Sequence, residues 1–492
     1  MSPHKVIPPE NGALSQIAER VLNVESVTHD YSHDGIVIAL NAELVVRPGA
    51  LNASARKALE QVAEPVGNLA TMLAPRTRLV RSPRQSGRKL EPDYKPDPAG
   101  PLSQVEIWRL KEPETRSSID ESRRLRALAE DEHVTTRGGH PLRLPAVSPH
   151  HVPILSASAG GCPAAPPIPA SEPDQPYVEA PADGPTAKVT VLDSGYIWLD
   201  PSHLDASHRN LDDRVTVVHG QWLDTTTATW KSDKPDGLYT DSTGQLDGIS
   251  GHGTFIAGLI SNIAPNTRLE LVGLRNQEVE IGALTRRRQL GLFETEVAIA
   301  HAMLRRCRTD VIQCGFAFPT LDHYPSVVFA AVMEELRDAG APHGGRVAVV
   351  APAGNERSRR KYWPAAHPEV IGVAATNRRG NARAWFSNWG DWCDCCARGE
   401  YVYSTFVHWD GPIEGESPAE IEHFRGWARW DGTSFAAPKV SAAIAAEFVA
   451  GGRTTSPADV AEQLIASRNG STVTDATLSG TPGVPLPYLQ TG

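Results

Sequence analysis

Short apolar runs alternate with helix-like segments between Lys188 and Gly452, and this alternation is what most constrains the fold. Strands are predicted at Val189–Leu192, Leu269–Val272, Val311–Phe316, Val347–Ala351 and Val370–Ala374. Helices are predicted at His252–Ser261, Thr295–Arg306, Ser326–Ala339 and Thr433–Ala450. Strands that are apolar along their whole length and are separated by helices are typical of parallel sheets covered on both faces. The region therefore predicts an α/β, doubly wound and mainly parallel sheet.

The rest of the 492-residue chain divides into four further regions. An N-terminal extension (1–19) precedes a small α+β domain (20–155), in which strand, helix, strand and helix follow one another. A linker rich in Pro and Ala (156–187) is not expected to form a packed element. The α/β region described above (188–452) follows, and a helix and tail (453–492) end the chain.

Helix signals in the α+β domain are specific enough to test. Asn52 is expected to cap a helix that carries Leu59 and Val62 on one face. Ser118 with Glu121 three residues later forms the pattern of a capping box. The helix that it opens is expected to turn Ile119, Leu125 and Leu128 inward.

Charge and hydropathy exclude several classes of function. With 48 Lys and Arg against 58 Asp and Glu, the formal net charge of −10 argues against a protein built mainly to bind nucleic acid. No run approaches the ~18 apolar residues that a membrane span requires. The first residues lack a basic segment followed by an apolar run, so we expect no signal peptide, no membrane partner and a cytoplasmic location.

Three local patterns in the α/β domain place chemically active side chains at the ends of elements. Asp193 follows a buried strand, His252 stands between glycines at a helix start, and Ser434 begins another helix among small residues. A serine hydroxyl becomes a nucleophile when an imidazole takes its proton, and a carboxylate orients that imidazole. Asp193, His252 and Ser434 are therefore predicted to be catalytic, as acid, base and nucleophile.

A fourth group is needed because the tetrahedral intermediate carries an oxyanion. A Gly-Asn pair, Gly354-Asn355, follows the predicted strand Val347–Ala351. The Asn355 side-chain amide is predicted to be one donor to the oxyanion, and the backbone N–H of Ser434 the second.

These four motifs, in this order, resemble the catalytic domain of the subtilase family of serine proteases. Tyr362–Ile371 and Ala384–Gly390 add weaker similarity, and together the motifs cover a little over half of the chain. The resemblance implies a subtilisin-like fold, a serine endopeptidase, and a prodomain-like role for residues 20–155. It also implies substrate binding by Gln313, Cys314, Gly315, Phe316, Ala317 and Gly354, with a bulkier pocket wall because Ala317 and Phe318 replace glycines.

Metals and cofactors have little support in the sequence. The spacing of Cys393, Cys395 and Cys396 is not that of a zinc site, so these residues are predicted to pack as small apolar side chains. No metal ligand is predicted and no cofactor is required, although the resemblance leaves a structural calcium ion possible.

Two alternatives to hydrolysis stay open. A peptide ligase or macrocyclase would use the same acyl-enzyme, and the long polar stretch His208–Ile249 could shield it from water. A non-catalytic binding module is disfavoured because all four site residues are intact. The expected partners are a peptide or polypeptide substrate and the chain's own N-terminal domain as an inhibitor. The tail Ser148–Ser156 of that domain is expected to lie along Gln313–Ala317, with self-cleavage between Val152 and Pro185.

Overall fold

The computed structural model describes most of the chain from Val27 onward. The described residues are 27–32, 35–73, 96–136, 138–155, 164–171, 185–198, 206–219, 221–224, 229–232, 244–246, 248–274, 276–280, 287–293, 295–305, 308–339, 345–413, 420–467, 471–474 and 485–490. The predicted N-terminal extension and part of the stretch His208–Ile249 (220, 225–228, 233–243 and 247) lie outside them. Within the described residues, no helix has both the length and the apolar character needed to cross a membrane.

A seven-stranded parallel sheet forms the centre of the molecule. Its strands are β10 (Ala187–Asp193), β11 (Val215–His219), β14 (Thr267–Gly273), β17 (Val311–Cys314), β18 (Ala348–Pro352), β19 (Ile371–Thr376) and β20 (Cys395–Arg398). Across the sheet they lie in the order β11-β14-β10-β17-β18-β19-β20. The prediction of a doubly wound, mainly parallel α/β fold is confirmed.

Helices cover both faces of this sheet. The α-helices among the described residues are α1 (Ala53–Val62), α2 (Leu69–Met72), α3 (Ser118–Arg126), α4 (Ala206–Asp212), α5 (His252–Ile263), α6 (Glu296–Arg305), α7 (Val327–Ala339), α8 (Thr433–Ala450) and α9 (Pro457–Ser467). Buried side chains of α5 and α8 form one apolar core with the sheet, and those of α6 and α7 form another. Two separate cores explain why the central strands are apolar along their whole length.

The N-terminal region forms its own antiparallel sheet of five strands. These are β1 (Val27–Ser32), β2 (Gly35–Val46), β3 (Ala63–Asn68), β4 (Glu106–Leu110) and β7 (Val147–His151). Both β4 and β7 pair with β2, so β2 is the central strand. Helices α1 and α3 pack on one face through Leu59, Val62 and Leu125.

One helix signal of this region was misplaced by a residue. Asn52 caps α1 as predicted, its side chain accepting from the Ala55 N–H at 2.8 Å. For α3 the cap is Ser117, whose Oγ accepts from the Asp120 N–H at 3.2 Å. Glu121 is ion-paired with two arginines instead of closing a capping box. Leu128 lies beyond the helix end and is 39% exposed, so its predicted inward position is wrong.

Short strands complete the fold. They are β5 (Glu132–Thr135), β6 (Pro141–Leu144), β8 (Ile154–Leu155), β9 (Ile168–Pro169), β12 (Gln221–Asp224), β13 (Thr229–Ser232), β15 (Asn276–Glu280), β16 (Arg287–Phe293), β21 (Val402–Gly411), β22 (Glu422–Trp430), β23 (Thr472–Thr474) and β24 (Pro485–Pro487). The hairpin of β21 and β22 leads directly into α8.

Part of the predicted linker is packed, which corrects the expectation that it forms no such element. Strand β9 pairs with β22, with Pro169 opposite Ala428. The Ala164 N–H donates to the carbonyl of Asp431, and the Trp430 indole N–H donates to the carbonyl of Ala165 at 2.5 Å. Pro-rich sequence is compatible with this position because proline is tolerated in edge strands, where a missing N–H can face away from the sheet.

The N-terminal sheet lies against α6 and α7. Val45, Leu69 and Ile107 from the N-terminal region belong to the same apolar cluster as Ala300 of α6 and Val328 of α7. Burial of apolar surface is therefore continuous from the N-terminal region into the second core of the central sheet.

Candidate active site

Three elements bring the predicted acid, base and nucleophile to one end of the central sheet. Asp193 is the last residue of β10, His252 the first residue of α5, and Ser434 the second residue of α8. Carboxyl ends of parallel strands and the helix starts that face them are the usual location of sites in α/β folds. All three side chains are fully buried.

Asp193 and His252 form a hydrogen-bonded pair. Nδ1 of His252 lies 2.8 Å from Oδ1 and 2.9 Å from Oδ2 of Asp193, and the Ser194 N–H donates to Oδ1 at 2.7 Å. Because a carboxylate only accepts hydrogen bonds, Nδ1 carries the proton and Nε2 is the basic nitrogen. A Cβ at Gly315 would lie 1.7 Å from Oδ2, so the pair also requires glycine there.

Two polar atoms at the centre of the site have no hydrogen-bond partner among the described residues. They are Nε2 of His252 and Oγ of Ser434, both buried. The imidazole packs edge-on against Trp430, with ring centroids 5.6 Å apart, and 5.2 Å from the ring of Phe435, the residue after Ser434. Buried polar groups ordinarily have partners, so a base and a hydroxyl left without one are typical of a reactive site.

Asn355 is hydrogen-bonded to the start of α8, the helix that carries Ser434. Its Oδ1 accepts two hydrogen bonds from Thr433, from the backbone N–H and from Oγ1, both at 2.9 Å. The Gly354 N–H in turn donates to Thr433 Oγ1 at 3.1 Å. Since Oδ1 faces Thr433, the orientation of the amide is fixed and its Nδ2 donor points the other way.

Asn388 contacts the loop that carries Asn355, Glu356 is the next residue of that loop, and sequence reasoning missed both. Nδ2 of Asn388 donates to Oε2 of Glu356 at 2.8 Å. Burial raises the pKa of the Glu356 carboxyl to about 8, although hydrogen bonds from Asn388 and Tyr362 oppose this. The only available signal was that Asn388 lies in Ala384–Gly390, a stretch noted for its similarity alone.

A comparison with known proteins decides the family. The sequence model of the subtilase family matches residues 184–480, which is more than half of the chain. This chain belongs to the subtilase family.

Individual relatives of this subtilase are distant. The subtilisin-like proteinase Mp1 of Magnaporthiopsis poae is 26% identical over 254 residues, which are 51% of this chain and 52% of that protein. The subtilase thus spans about half the length of this curated relative.

Solved structures are also similar at low identity. A protease of Pseudoalteromonas arctica is 21% identical over 57% of this chain and 82% of its own. The prenylagaramide maturation protease PagA is 20% identical over 58% and 84%, and a cold-adapted subtilisin-like serine proteinase 20% over 65% and 96%. Each aligns with a TM-score of 0.39.

Two of the predicted substrate-binding residues of the subtilase are inside the central sheet. Gln313 pairs with β10 on one side and β18 on the other, and its side chain bonds to Ser441 at 2.6 Å and to the carbonyl of Cys314 at 2.7 Å. Cys314 is paired with β10 and is fully buried. The prediction for Gln313 is wrong, because both edges of its strand are already paired, whereas Cys314 is paired on the β10 side and its role in substrate binding stays a prediction.

The residues that follow β17 are arranged differently. Gly315, Phe316 and Ala317 continue beyond the strand end, and their role in substrate binding, like that of Gly354, stays a prediction. Phe318 is 3% exposed and packs on Phe329 in the core, with ring centroids 5.7 Å apart. Its expected contribution to a pocket wall stays a prediction.

The predicted added strand forms at another edge. Ile154 and Leu155 pair antiparallel with Phe293 and Leu292 of β16, and no pairing of residues 148–155 with β17 is found. Strand β17 is enclosed by two neighbours, whereas β16 has an edge that can accept a partner.

The cysteine cluster belongs to the core. Cys395 lies in the core under α5 and α8, and Cys393 and Cys396 pack with Trp389 and Ala353. Burial raises the pKa of all three thiols. The prediction that they pack as apolar residues is confirmed. No group of three His, Cys, Asp or Glu side chains suited to a metal occurs in the described part of the subtilase.

Proposed function

We propose that this subtilase is a serine endopeptidase that hydrolyses peptide bonds through an acyl-enzyme on Ser434. The observation that carries the proposal is the buried Asp193–His252 pair, whose Nε2 is left without a described partner beside the start of α8. The family of the chain agrees with this chemistry.

Each residue has a defined role in the proposed reaction. Ser434 Oγ attacks the peptide carbonyl carbon while its proton passes to Nε2 of His252. Asp193 holds the imidazole in the required tautomer and stabilises the imidazolium. The oxyanion accepts hydrogen bonds from Asn355 Nδ2 and the Ser434 N–H. His252 then protonates the leaving amine, and water releases the acyl group by the reverse sequence.

The test is product analysis on a library of fluorogenic and unlabelled peptides. We expect cleaved peptides whose masses show addition of one water, and a Ser434→Ala protein that forms none. Ser467→Ala, a substitution of an exposed serine at the end of α9, is the matched control and should cleave normally. Joined or cyclised products in place of hydrolysis would favour the ligase alternative, and no reaction with any peptide would contradict the proposal.

We further propose that the N-terminal domain (residues 20–155) acts as an inhibitor of the same chain. Three contacts support this. Apolar side chains of the N-terminal region pack on α6 and α7, and β8 pairs with β16. The N–H and Nδ1 of His151 also lie 3.0 and 3.3 Å from Oε1 of Glu296. Arg123 and Arg126 of α3 add ion pairs to Asp322. A substrate carbonyl must reach Ser434, and its complete burial agrees with a latent arrangement.

A further inference from the structure

The segment Ala353–Ser358, which carries Asn355, has no regular secondary structure. An irregular segment lacks the repeated backbone hydrogen bonds that fix a helix or a strand, so other groups must hold it. Its backbone contacts come largely from Phe386–Trp389, which bonds to Gly354, Arg357 and Ser358.

Asn388 makes five hydrogen bonds to this segment. Its Oδ1 accepts from the N–H groups of Glu356 at 3.0 Å and Ser358 at 2.9 Å. Its Nδ2 donates to the Ala353 carbonyl at 2.9 Å and to Glu356 Oε2 at 2.8 Å. Its backbone N–H donates to the Gly354 carbonyl at 2.9 Å. The side chain thus uses its full capacity of two donors and two acceptor positions, and it is completely buried.

The loop approaches Asn388 closely at Gly354, where the space between them restricts the position of the loop. Gly354 has φ +96°, and a Cβ at this position would lie 2.5 Å from Nδ2 of Asn388. Asn355 is thereby held from two directions: Thr433 binds its Oδ1 directly, and Asn388 binds the residues on either side of it.

We propose that Asn388 is a positioning residue for the Asn355 oxyanion donor, an inference that rests on the proposed peptidase function. Asn388 makes its contacts with the loop and acts through Asn355. An oxyanion donor must lie about 2.7–3.1 Å from the developing charge. A displacement of about 1 Å can cost on the order of 10²-fold in rate, so the network that fixes this loop contributes to turnover.

Asn388→Asp tests the proposal with minimal change of shape, because the carboxylate keeps both acceptors and loses both donors. We expect kcat to fall about 10- to 100-fold, with KM changed less than about twofold, since the donor acts on the transition state. Asn377→Asp is the matched control, because the Asn377 side chain also accepts hydrogen bonds within a loop, from the N–H groups of Arg379 and Asn381. The kcat of the Asn377→Asp enzyme should stay within about twofold of wild type.

A double-mutant cycle separates positioning from a general loss of structure. In an Asn355→Ala background the donor is already gone, so Asn388→Asp should lower kcat by less than about threefold further. An equal loss of kcat in both backgrounds, or an effect on KM alone, would overturn the inference. Should Asn388→Asp not fold, Asn388→Ser supplies the same comparison with a smaller side chain.

Crystal structures of wild type and Asn388→Asp decide the question without any activity. We expect the Asn355 amide to be displaced relative to the Asp193–His252 pair in the variant, while the Asn377→Asp structure is unchanged. An undisplaced Asn355 overturns the inference even when the enzyme is active. A wild type that cleaves no peptide, together with a displaced Asn355, counts against the proposed function and leaves the positioning role supported.

Discussion

The two sides of the active site are held by different means. On the acid–base side, Asp193 and His252 occupy a strand end and a helix start, and aromatic rings surround the imidazole. On the oxyanion side, Asn355 lies in an irregular loop that side-chain hydrogen bonds from Thr433 and Asn388 fix in place.

The difference follows from what each side does in the proposed reaction. Proton transfer needs a base and a hydroxyl that are not hydrogen-bonded to other groups. Nε2 of His252 and Oγ of Ser434 have no hydrogen-bond partner among the described residues. An oxyanion donor works by being in place before charge develops, so a saturated network suits it. Regular elements can place single residues, whereas an irregular loop needs dedicated side chains to hold it.

Breaking the acid–base side should have the largest effect. We expect Ser434→Ala or His252→Ala to lower turnover by about 10⁴- to 10⁶-fold, the range that loss of a triad member has in the relative subtilisin. Thermal stability of Ser434→Ala should change little, because only one small polar atom is removed. Initial rates on the best library peptide measure the loss, and full turnover by either variant would disprove the assigned roles.

Breaking the oxyanion side should cost less, because the acid–base pair remains. Asn355→Ala is expected to lower kcat by about 10²- to 10³-fold, as for the corresponding donor of subtilisin, with KM nearly unchanged. Steady-state kinetics separate the two constants. If KM alone rose, Asn355 would be a ground-state contact and the distinction between the two sides would fail.

Removing the N-terminal region tests whether this region restricts access to both the acid–base side and the oxyanion side. We expect deletion of residues 1–155 to raise peptide hydrolysis at least about tenfold, since the chain would no longer be held in the proposed latent arrangement. Insoluble protein would instead assign the region a role in folding. A soluble fragment with unchanged activity would contradict inhibition.

Self-cleavage is expected between the two paired segments, after Leu155 and before Ala164. Residues within β8 and β9 are held by their strand partners, so we expect the cut to fall outside these two strands. N-terminal sequencing of the processed wild type locates the cut, and Ser434→Ala should stay full length. Cleavage of Ser434→Ala at the same bond during purification would assign the cut to another protease.

The smallest effect concerns stability and pH on the oxyanion side. Burial raises the folded-state pKa of Glu356 from the ordinary value of 4.5 to about 8, so the contribution of this carboxyl to stability is largest below pH 4.5 and is lost as the pH rises through about 8. Glu356→Gln should remove most of this dependence in denaturant unfolding, whereas Glu64→Gln, at an exposed position, should keep it. An unaltered dependence in Glu356→Gln would refute the assignment to this carboxyl.

The acid–base side could be predicted from the sequence more completely than the oxyanion side. Val189–Leu192 predicted β10 to within two residues at its start, and the motifs around Asp193 and His252 mark element ends that the fold brings together. Asn388 bonds to residues about 30 positions away in the sequence, and such contacts leave no local pattern. The error at Gln313 has the same cause, because the strand order that encloses β17 is set by the whole sheet.

The most direct test is a crystal structure of the enzyme after reaction with a peptidyl fluorophosphonate. The account predicts phosphorus bonded to Ser434 Oγ, with one phosphoryl oxygen within hydrogen-bond distance of Asn355 Nδ2 and the Ser434 N–H. It also predicts that His252 still bonds Asp193 and that Asn388 still holds the loop. An adduct on another residue, or a phosphoryl oxygen directed away from Asn355, would contradict it.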